Sequence, residues 1–354
     1  MAQQYRTVSS VNFSLGVLVL ALCLGYLLFT AAHVEAAKKK PARPPHHGQH
    51  NSTHPPTPAP RPVNETSAST PVNDKELIDK INANETLGWK ATEYPRFANL
   101  SISEARDSLF GLSLLSTDPD TPRLDIEPRV DLPMNFDART QWRGCIPAVR
   151  DQQTCGACWA FSATYVLAHR LCIATNGKTN VVLSPEYQVQ CDTMNKACQG
   201  GYLKYAWSFL ERTGTTVDSC IPYASGRATF SSGTCPAKCK VSTQSMTMYK
   251  AKNSRYISGV NNIKAAIMSY GSVQSGFTIY RDFMSYRSGV YKHVSTTTLG
   301  GHAVALIGWG VESGTNYWLA VNSWGSNWGM SGYFKIAQGE CGIENQVYAG
   351  EPVY

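Results

Sequence analysis

Apolar and polar positions change pattern four times along the chain. Positions 15–32, LGVLVLALCLGYLLFTAA, form an apolar run of eighteen residues with Arg6 the only charge before it. Its length is at the short end for a membrane span. Small residues at Ala31, Ala32 and Ala36 suit a cleaved signal peptide, and Lys38, Lys39 and Lys40 on the far side disfavour a stable type II anchor. A cleaved signal within 1–36 is preferred, with an uncleaved anchor as the alternative. Residues 37–73, rich in Pro, His, Thr, Ser and Asn, have almost nothing to bury and predict a disordered, partly extended linker. Order resumes at Asp74, which can cap a helix through KELIDKINA with Leu77, Ile78 and Ile81 on one face. Trp89 and Phe97 supply bulky anchors, and a second short helix is expected near Ser103, through Glu104 to Leu109.

From 131 the texture changes again. Phe161 to Ile173 and Tyr202 to Glu211 read as helices. Ala303–Trp309, Tyr317–Asn322 and Gly332–Ile336 read as antiparallel strands between Gly, Ser and Asn punctuation. Helices first and strands last predict two subdomains with a cleft between them. Residues 74–130 then form one segment and 131–354 the main domain, long enough to bury a core.

Charge narrows the function little. The net +7 comes from 32 basic and 25 acidic residues, with a local basic patch at Lys38–Lys40 and Arg43. No basic stripe interleaved with aromatics suggests a nucleic-acid partner, and no phosphate-binding glycine loop is present. The cysteines are more informative. Of eleven, all but Cys23 fall between 145 and 341, a density that suggests an oxidising compartment and a disulfide framework. Asn51, Asn64, Asn84 and Asn99 begin N-x-[ST] sequons and are glycosylation candidates. His46, His47, His50 and His54 could hold a metal weakly, but a polar linker is the better reading.

The chemistry centres on GlnGlnThrCysGlyAlaCysTrpAlaPheSer at 152–162. Cys158 stands where the apolar helix should begin, and a helix N-terminus favours a thiolate. The Cys155-x-x-Cys158 spacing also allows a redox pair or half a zinc site. The redox reading lacks a βαβ pattern, and for zinc the only other close pair is Cys235-x-x-x-Cys239. A nucleophilic thiol is preferred. It needs an imidazole, and His302 in GGHAVALIGWG is the candidate, expected at the head of a strand with glycines leaving room before it. Asn322 can orient the ring and Trp324 cover the bond between them. Gln152 and the Cys158 backbone N–H can hold an oxyanion.

QQTCGACWAFS, GHAVALIGWG and NSWGSNWGMSGYFKI, in this order, resemble the papain family of cysteine peptidases. LPMNFDARTQW, QGGY, VYKHV and ECGIE resemble its cathepsin B-like branch, and ELIDKINANETLGWKATEYPRF is similar to that branch's propeptide. The resemblance implies an α+β fold of a helical lobe and an antiparallel, barrel-like sheet lobe with the site in the cleft between. It implies a zymogen with Cys158 as nucleophile, His302 as base, Asn322 as orienter and Gln152 as oxyanion donor. It places Gly200 and Gly201 along the substrate backbone, Gly276, Ala303 and Gln346 in the S2 pocket, and Trp324 and Trp328 on the primed side. It pairs Cys145–Cys172, Cys155–Cys198, Cys191–Cys235 and Cys220–Cys239, leaving Cys158 and Cys341 free.

Three departures qualify the resemblance. The branch's occluding loop should lie between Cys220 and Cys235, but that stretch is short and has no histidine, so the primed side is expected to be open and the enzyme an endopeptidase. Gln346 replaces an acidic pocket residue, which favours hydrophobic P2 side chains. Gln153 replaces a glycine, and a positive φ there would carry mild strain. Expected partners are protein and peptide substrates, the propeptide as intramolecular inhibitor, and cystatin-like inhibitors. The mature domain is expected to be monomeric, in a secretory or lysosome-like setting, with no cofactor and no metal. The alternatives are a non-catalytic extracellular relative and a disulfide oxidoreductase.

Overall fold

A computed structural model describes residues 69–114, 121–123, 131–227 and 234–354. The apolar run at 15–32, most of the linker, Asn51 and Asn64 lie outside them. In chain order the elements are α1 (Lys75–Ala83), β1 (Trp89–Ala91), α2 (Ile102–Leu109), β2 (Phe136–Asp137), α3 (Ala138–Gln141), α4 (Cys158–Ala174), α5 (Pro185–Cys191) and α6 (Leu203–Arg212). They continue with β3 (Ala251–Tyr256), α7 (Val260–Tyr270), β4 (Val273–Tyr280), β5 (Tyr286–Tyr291), β6 (Thr298–Glu312), β7 (Thr315–Val321), β8 (Tyr333–Ala337) and β9 (Gln346–Pro352).

The sheet runs β1-β5-β8-β7-β6-β4-β9-β3, with β2 added beside β6. It is mixed: the β5–β8 pair is parallel, a departure from the purely antiparallel expectation. Helix α4 is buried on nearly every side, as its apolar sequence demands. Gln274 of β4 ties it to the sheet. Its amide nitrogen donates to the Trp159 carbonyl and to Ser162 Oγ, both at 2.8 Å, while its Oε1 accepts from Trp207 Nε1 at 2.8 Å. A fully satisfied buried amide of this kind fixes one packing of the two lobes. Arg170 does the same further along the helix, where its guanidinium donates to the carbonyls of Ser272 and Gly350.

Four disulfides join Cys145–Cys172, Cys155–Cys198, Cys191–Cys235 and Cys220–Cys239, and Cys158 and Cys341 are free. Cys155 is therefore not half of a reducible pair with Cys158.

The segment 69–114 lies along the main domain. Asp74 caps α1 by accepting from the Leu77 N–H and pairs with Arg281 at 2.6 Å. Ile78 and Ile81 face inward, and β1 adds an edge strand to β5, stacking Trp89 on Tyr286. Helix α2 begins one residue before the expected start because Ser101 and Glu104 form a reciprocal capping box. Asn84 and Asn99 are exposed.

The capping box carries a pH prediction. Hydrogen bonds from the Ser101 backbone N–H and then its hydroxyl hold the Glu104 carboxyl below the ordinary glutamate range. A depressed acid stabilises the fold above its unfolded pKa, and that support is lost as pH falls through the folded value. Acid should therefore loosen the start of α2, which leads directly into the cleft. Glu104→Ala should become open to an added protease at the start of α2 at a higher pH than the parent chain, read as onset of cleavage on gels.

Candidate active site

The Cys158 side chain sits at the first position of α4, where backbone N–H groups have no helical acceptor. The N–H groups of Ala303 on β6 and of Gly111 in the N-terminal segment also point at its sulfur. The thiol is completely buried, and burial pushes its pKa up to about 11 against those N–H contributions.

His302 is the residue before Ala303. It lies inside β6 and not at a strand head as expected. Gly300 and Gly301 pair with Ile279 and Thr278 of β4 beside a bulge in the ladder, so they do not end the strand. They serve close approach instead: a Cβ on Gly301 would stand 2.3 Å from the Leu112 carbonyl oxygen. His302 Nε2 meets Asn322 Oδ1 at 2.8 Å, just past the end of β7. The amide oxygen can only accept, so Nε2 carries the proton and Nδ1 keeps a lone pair. Nδ1 is buried without a hydrogen-bond partner. Desolvation lowers the ring pKa to about 4, with the Asn322 bond opposing. The Trp324 ring covers the pair, its centroid 4.9 Å from the imidazole.

Gln152 lies opposite, fully buried. Its Oε1 accepts from Ser323 Oγ at 2.6 Å, and Nε2 donates to the carbonyls of Cys155 at 2.8 Å and Leu109 at 3.0 Å. One N–H of the amide is thus satisfied within the site, and the other is taken by the N-terminal segment. Neighbouring Gln153 has φ 54°, the left-handed conformation expected of a glycine, at an ordinary cost of roughly 1–2 kcal/mol. Asp151 offsets part of it by accepting the Gln153 N–H at 2.8 Å.

The segment Phe110–Ser113, directly after α2, threads the cleft as extended backbone. Gly111 accepts from the Gly201 N–H at 2.7 Å, Ser113 donates to the Gly201 carbonyl at 2.9 Å, and Leu112 donates to Gly301 at 3.1 Å. A Cβ on Gly200 would meet the Gly111 oxygen at 2.5 Å, which explains a glycine there. The strand registers set Ala303, Gly276 and Gln346 in a row across β6, β4 and β9. Leu112 rests on that row, its Cδ2 2.5 Å from where a Cβ of Gly276 would be, with Leu203 beside it. Tyr94 and Phe97 pack on Trp328 and Trp324, while Arg96 pairs with Asp151 at 3.1 Å and donates to the Trp324 carbonyl.

The residues expected at the site converge on this cleft, where His302 Nδ1 and Cys158 Sγ are not hydrogen-bonded to each other. Sequence reasoning missed Ser323, Leu203, Asp151 and the plug Phe110–Ser113. A hydroxyl beside Asn322, and Phe-Gly-Leu after a capped helix, were the available signals. Between Cys220 and Cys235, residues 228–233 lie outside the described ones. The preceding turn is pinned by Glu186, which accepts from Ala224 and Ser225, and by Tyr223, which donates to the Gln152 carbonyl at 2.7 Å.

Residues 132–351 match the domain described as papain family cysteine protease. The chain belongs to that family. It is 42% identical over 279 residues to Cathepsin B-like CP3 of Giardia intestinalis, covering 77% of this chain and 93% of that protein. It is 35% identical over 318 residues to Cathepsin B-like cysteine proteinase 4 of Caenorhabditis elegans, covering 80% and 93%. The solved structure of proCathepsin B S9 from Trypanosoma congolense superposes with a TM-score of 0.74 at 31% identity, covering 80% of this chain and all of that one. The molecule is a cathepsin B-like cysteine protease whose structural neighbours include precursor forms. No helix among the described residues is long and apolar enough to cross a membrane.

Proposed function

We propose that the chain is the zymogen of a cysteine endopeptidase in which Cys158 is the nucleophile, His302 the base, Asn322 the orienting group and Gln152 an oxyanion donor. The 2.8 Å bond between His302 Nε2 and Asn322 Oδ1, which leaves Nδ1 as the acceptor in the strand beside the sulfur, carries this reading. With the cleft open, the Cys158 proton moves to Nδ1. The thiolate attacks a peptide carbonyl carbon, and the oxygen takes the negative charge between Gln152 Nε2–H and the Cys158 N–H. Imidazolium then protonates the departing amine and leaves a thioester. His302 next takes a proton from water, the hydroxide attacks the thioester, and the acid leaves as the thiolate returns.

Residues 74–130 act as the propeptide and 131–354 as the mature enzyme. The plug, with the last residue of α2, puts the Leu109 carbonyl on Gln152 and an N–H, not a carbonyl carbon, on the sulfur. It therefore occupies both poles of the site without being a substrate in this pose. Leu112 on Gly276 and the neutral Gln346 support a preference for hydrophobic side chains at P2, the second residue before the cut. Glu344 lies in the same wall, but its Oε1 accepts from the Trp318 indole at 2.7 Å. The lack of histidine between Cys220 and Cys235 supports internal cleavage over release of C-terminal dipeptides. The disulfides support a secretory route.

A mixed peptide library tests these points together. The processed enzyme should make internal cuts after hydrophobic P2 residues, and Cys158→Ala should make none. Gln346→Glu should raise kcat/KM for Arg over Leu at P2 by about tenfold, the effect of one charge at partly solvated contact range. Dipeptide release would sink the open primed side alone. Activity surviving Cys158→Ala would sink the nucleophile.

A further inference from the structure

Three side chains with metal-ligating atoms meet at the far wall of the Gln346 cleft, and no step above uses them. His293 Nδ1 and Glu340 Oε1 lie 2.5 Å apart, although 47 positions separate them in the chain. Cys341 Sγ is 3.9 Å from the same carboxylate oxygen. One donor atom from each residue falls within 4.8 Å of the other two. Cys341 belongs to no disulfide.

The cluster is held in shape. The Tyr280 ring stacks on the His293 imidazole with centroids 4.0 Å apart and planes 15° apart. Cys341 has φ 55° between Gly339 and Gly342, which are also positive, in a conformation that L side chains rarely adopt. An observed outlier of this kind points to a local function. Asp282 accepts from the N–H groups of Val294 and Ser295, which follow His293, and from the Tyr291 hydroxyl.

We propose that His293, Glu340 and Cys341 bind one zinc ion, with water completing a tetrahedron. A nitrogen, an oxygen and a sulfur form a borderline-soft donor set, which suits zinc and not the oxygen-seeking calcium or magnesium. At zinc bond lengths of about 2.0–2.3 Å, ligand atoms in a tetrahedron stand roughly 3.3–3.8 Å apart. The sulfur must close in by about an ångström, and the ion replaces the hydrogen bond between His293 and Glu340. Coordination releases the thiol proton to solvent. The ion would clamp the turn 339–345 to the loop after β5. That turn supplies Gly342 and Asn345 to the cleft that also holds Gly276 and Gln346, so the clamp would stiffen the wall of the proposed P2 pocket. The binding itself does not depend on that reading.

The test uses the full chain carrying Cys158→Ala, which removes the other free thiol of the described residues, and cobalt(II) as the probe. One equivalent of cobalt should give a near-ultraviolet thiolate charge-transfer band that zinc displaces. Cys341→Ser should abolish the band. His293→Ala and Glu340→Gln should each weaken cobalt binding by more than the 10–100-fold typical of losing an outer-shell partner. Zinc should raise the thermal midpoint of the Cys158→Ala chain and leave that of the chain also carrying Cys341→Ser unchanged. Histidines of the linker would bind cobalt without a sulfur band and so cannot mimic this result. An absent band, or a band that persists in Cys341→Ser, overturns the proposal. So does a band with unchanged affinity in both His293→Ala and Glu340→Gln.

Discussion

A Gly111→Ala chain should hydrolyse a peptide substrate while still unprocessed, at a rate about a hundredfold or more above the parent precursor. The added methyl carbon would stand 1.7 Å from the Gly156 carbonyl oxygen and 2.4 Å from its carbon. Neither atom can retreat. Gly156 donates to the Cys198 carbonyl at 3.0 Å, and the adjacent Cys155 is bonded to Cys198. The plug must lift by more than an ångström, which breaks its bonds to Gly201, Gly301 and Gln152. Three or four hydrogen bonds at about 1 kcal/mol each amount to a factor of 10² to 10³ in the closed population. Fluorogenic hydrolysis in the first minutes at neutral pH, with intact mass checked by mass spectrometry, reads this directly. Asp107→Ala, exposed on the preceding helix, is the control and should stay latent. Full latency in Gly111→Ala would show that close backbone passage is not what closes the site.

The second large effect is on the nucleophile itself. Iodoacetamide should alkylate Cys158 at pH 7 at least about a hundredfold faster after the plug is removed. Under the plug, burial holds the thiol at about 11 and the imidazole at about 4. A thiol at that value is thiolate in only about one molecule in 10⁴ at pH 7. Uncovering returns water and lets the ion pair form, bringing the thiolate to the major form as in other thiols beside an imidazolium at a helix start. Lower intrinsic nucleophilicity of such a thiolate offsets part of that gain. The covered thiol is fully buried and can meet the reagent only when the plug lifts, so the covered chain should stay slow at every pH, while the opened one should already be on a plateau at pH 7. His302→Ala in the processed enzyme should abolish the plateau. Cys341→Ser serves as background, since burial and then Glu340 also raise its thiol.

The same proton count separates activation from the dyad. A buried thiol with neutral imidazole and an open thiolate with imidazolium each hold one proton. Moving between them consumes none near neutrality, so the dyad alone cannot make opening acid-driven. Acid must act on other groups, and the Glu104 carboxylate that caps the helix leading into the plug is one whose protonation weakens that helix.

Much of the local structure was legible because it depends on neighbours in sequence. Asp74 caps α1 through a contact three residues long, as expected, while the equally local Ser101–Glu104 box starts α2 before the expected Ser103. The apolar stretch after Cys158 could only be a buried helix, though it begins at Cys158 itself, three residues before the expected Phe161. Its start, with His302 and Asn322 downstream, was enough to point to the chemistry proposed for the site, since few residue types can generate and orient a thiolate. The motif blocks were similarly enough to place the chain in its family.

Other features could not be read from neighbours. A glycine pair looks like an interruption in a sequence, but in the sheet Gly300 and Gly301 both pair with β4 beside a bulge, and His302 lies within the strand. The plug uses Gly111 because a backbone 45 positions away leaves no room for a methyl group, and the row of Ala303, Gly276 and Gln346 exists only through the register of three strands. His293, Glu340 and Cys341 meet for the same reason. Capping, helix periodicity and thiol chemistry act over a few residues and are written in the order of the chain. Close approach, shared burial and convergent donor atoms are set by pairing between distant segments, so only the folded structure decided them.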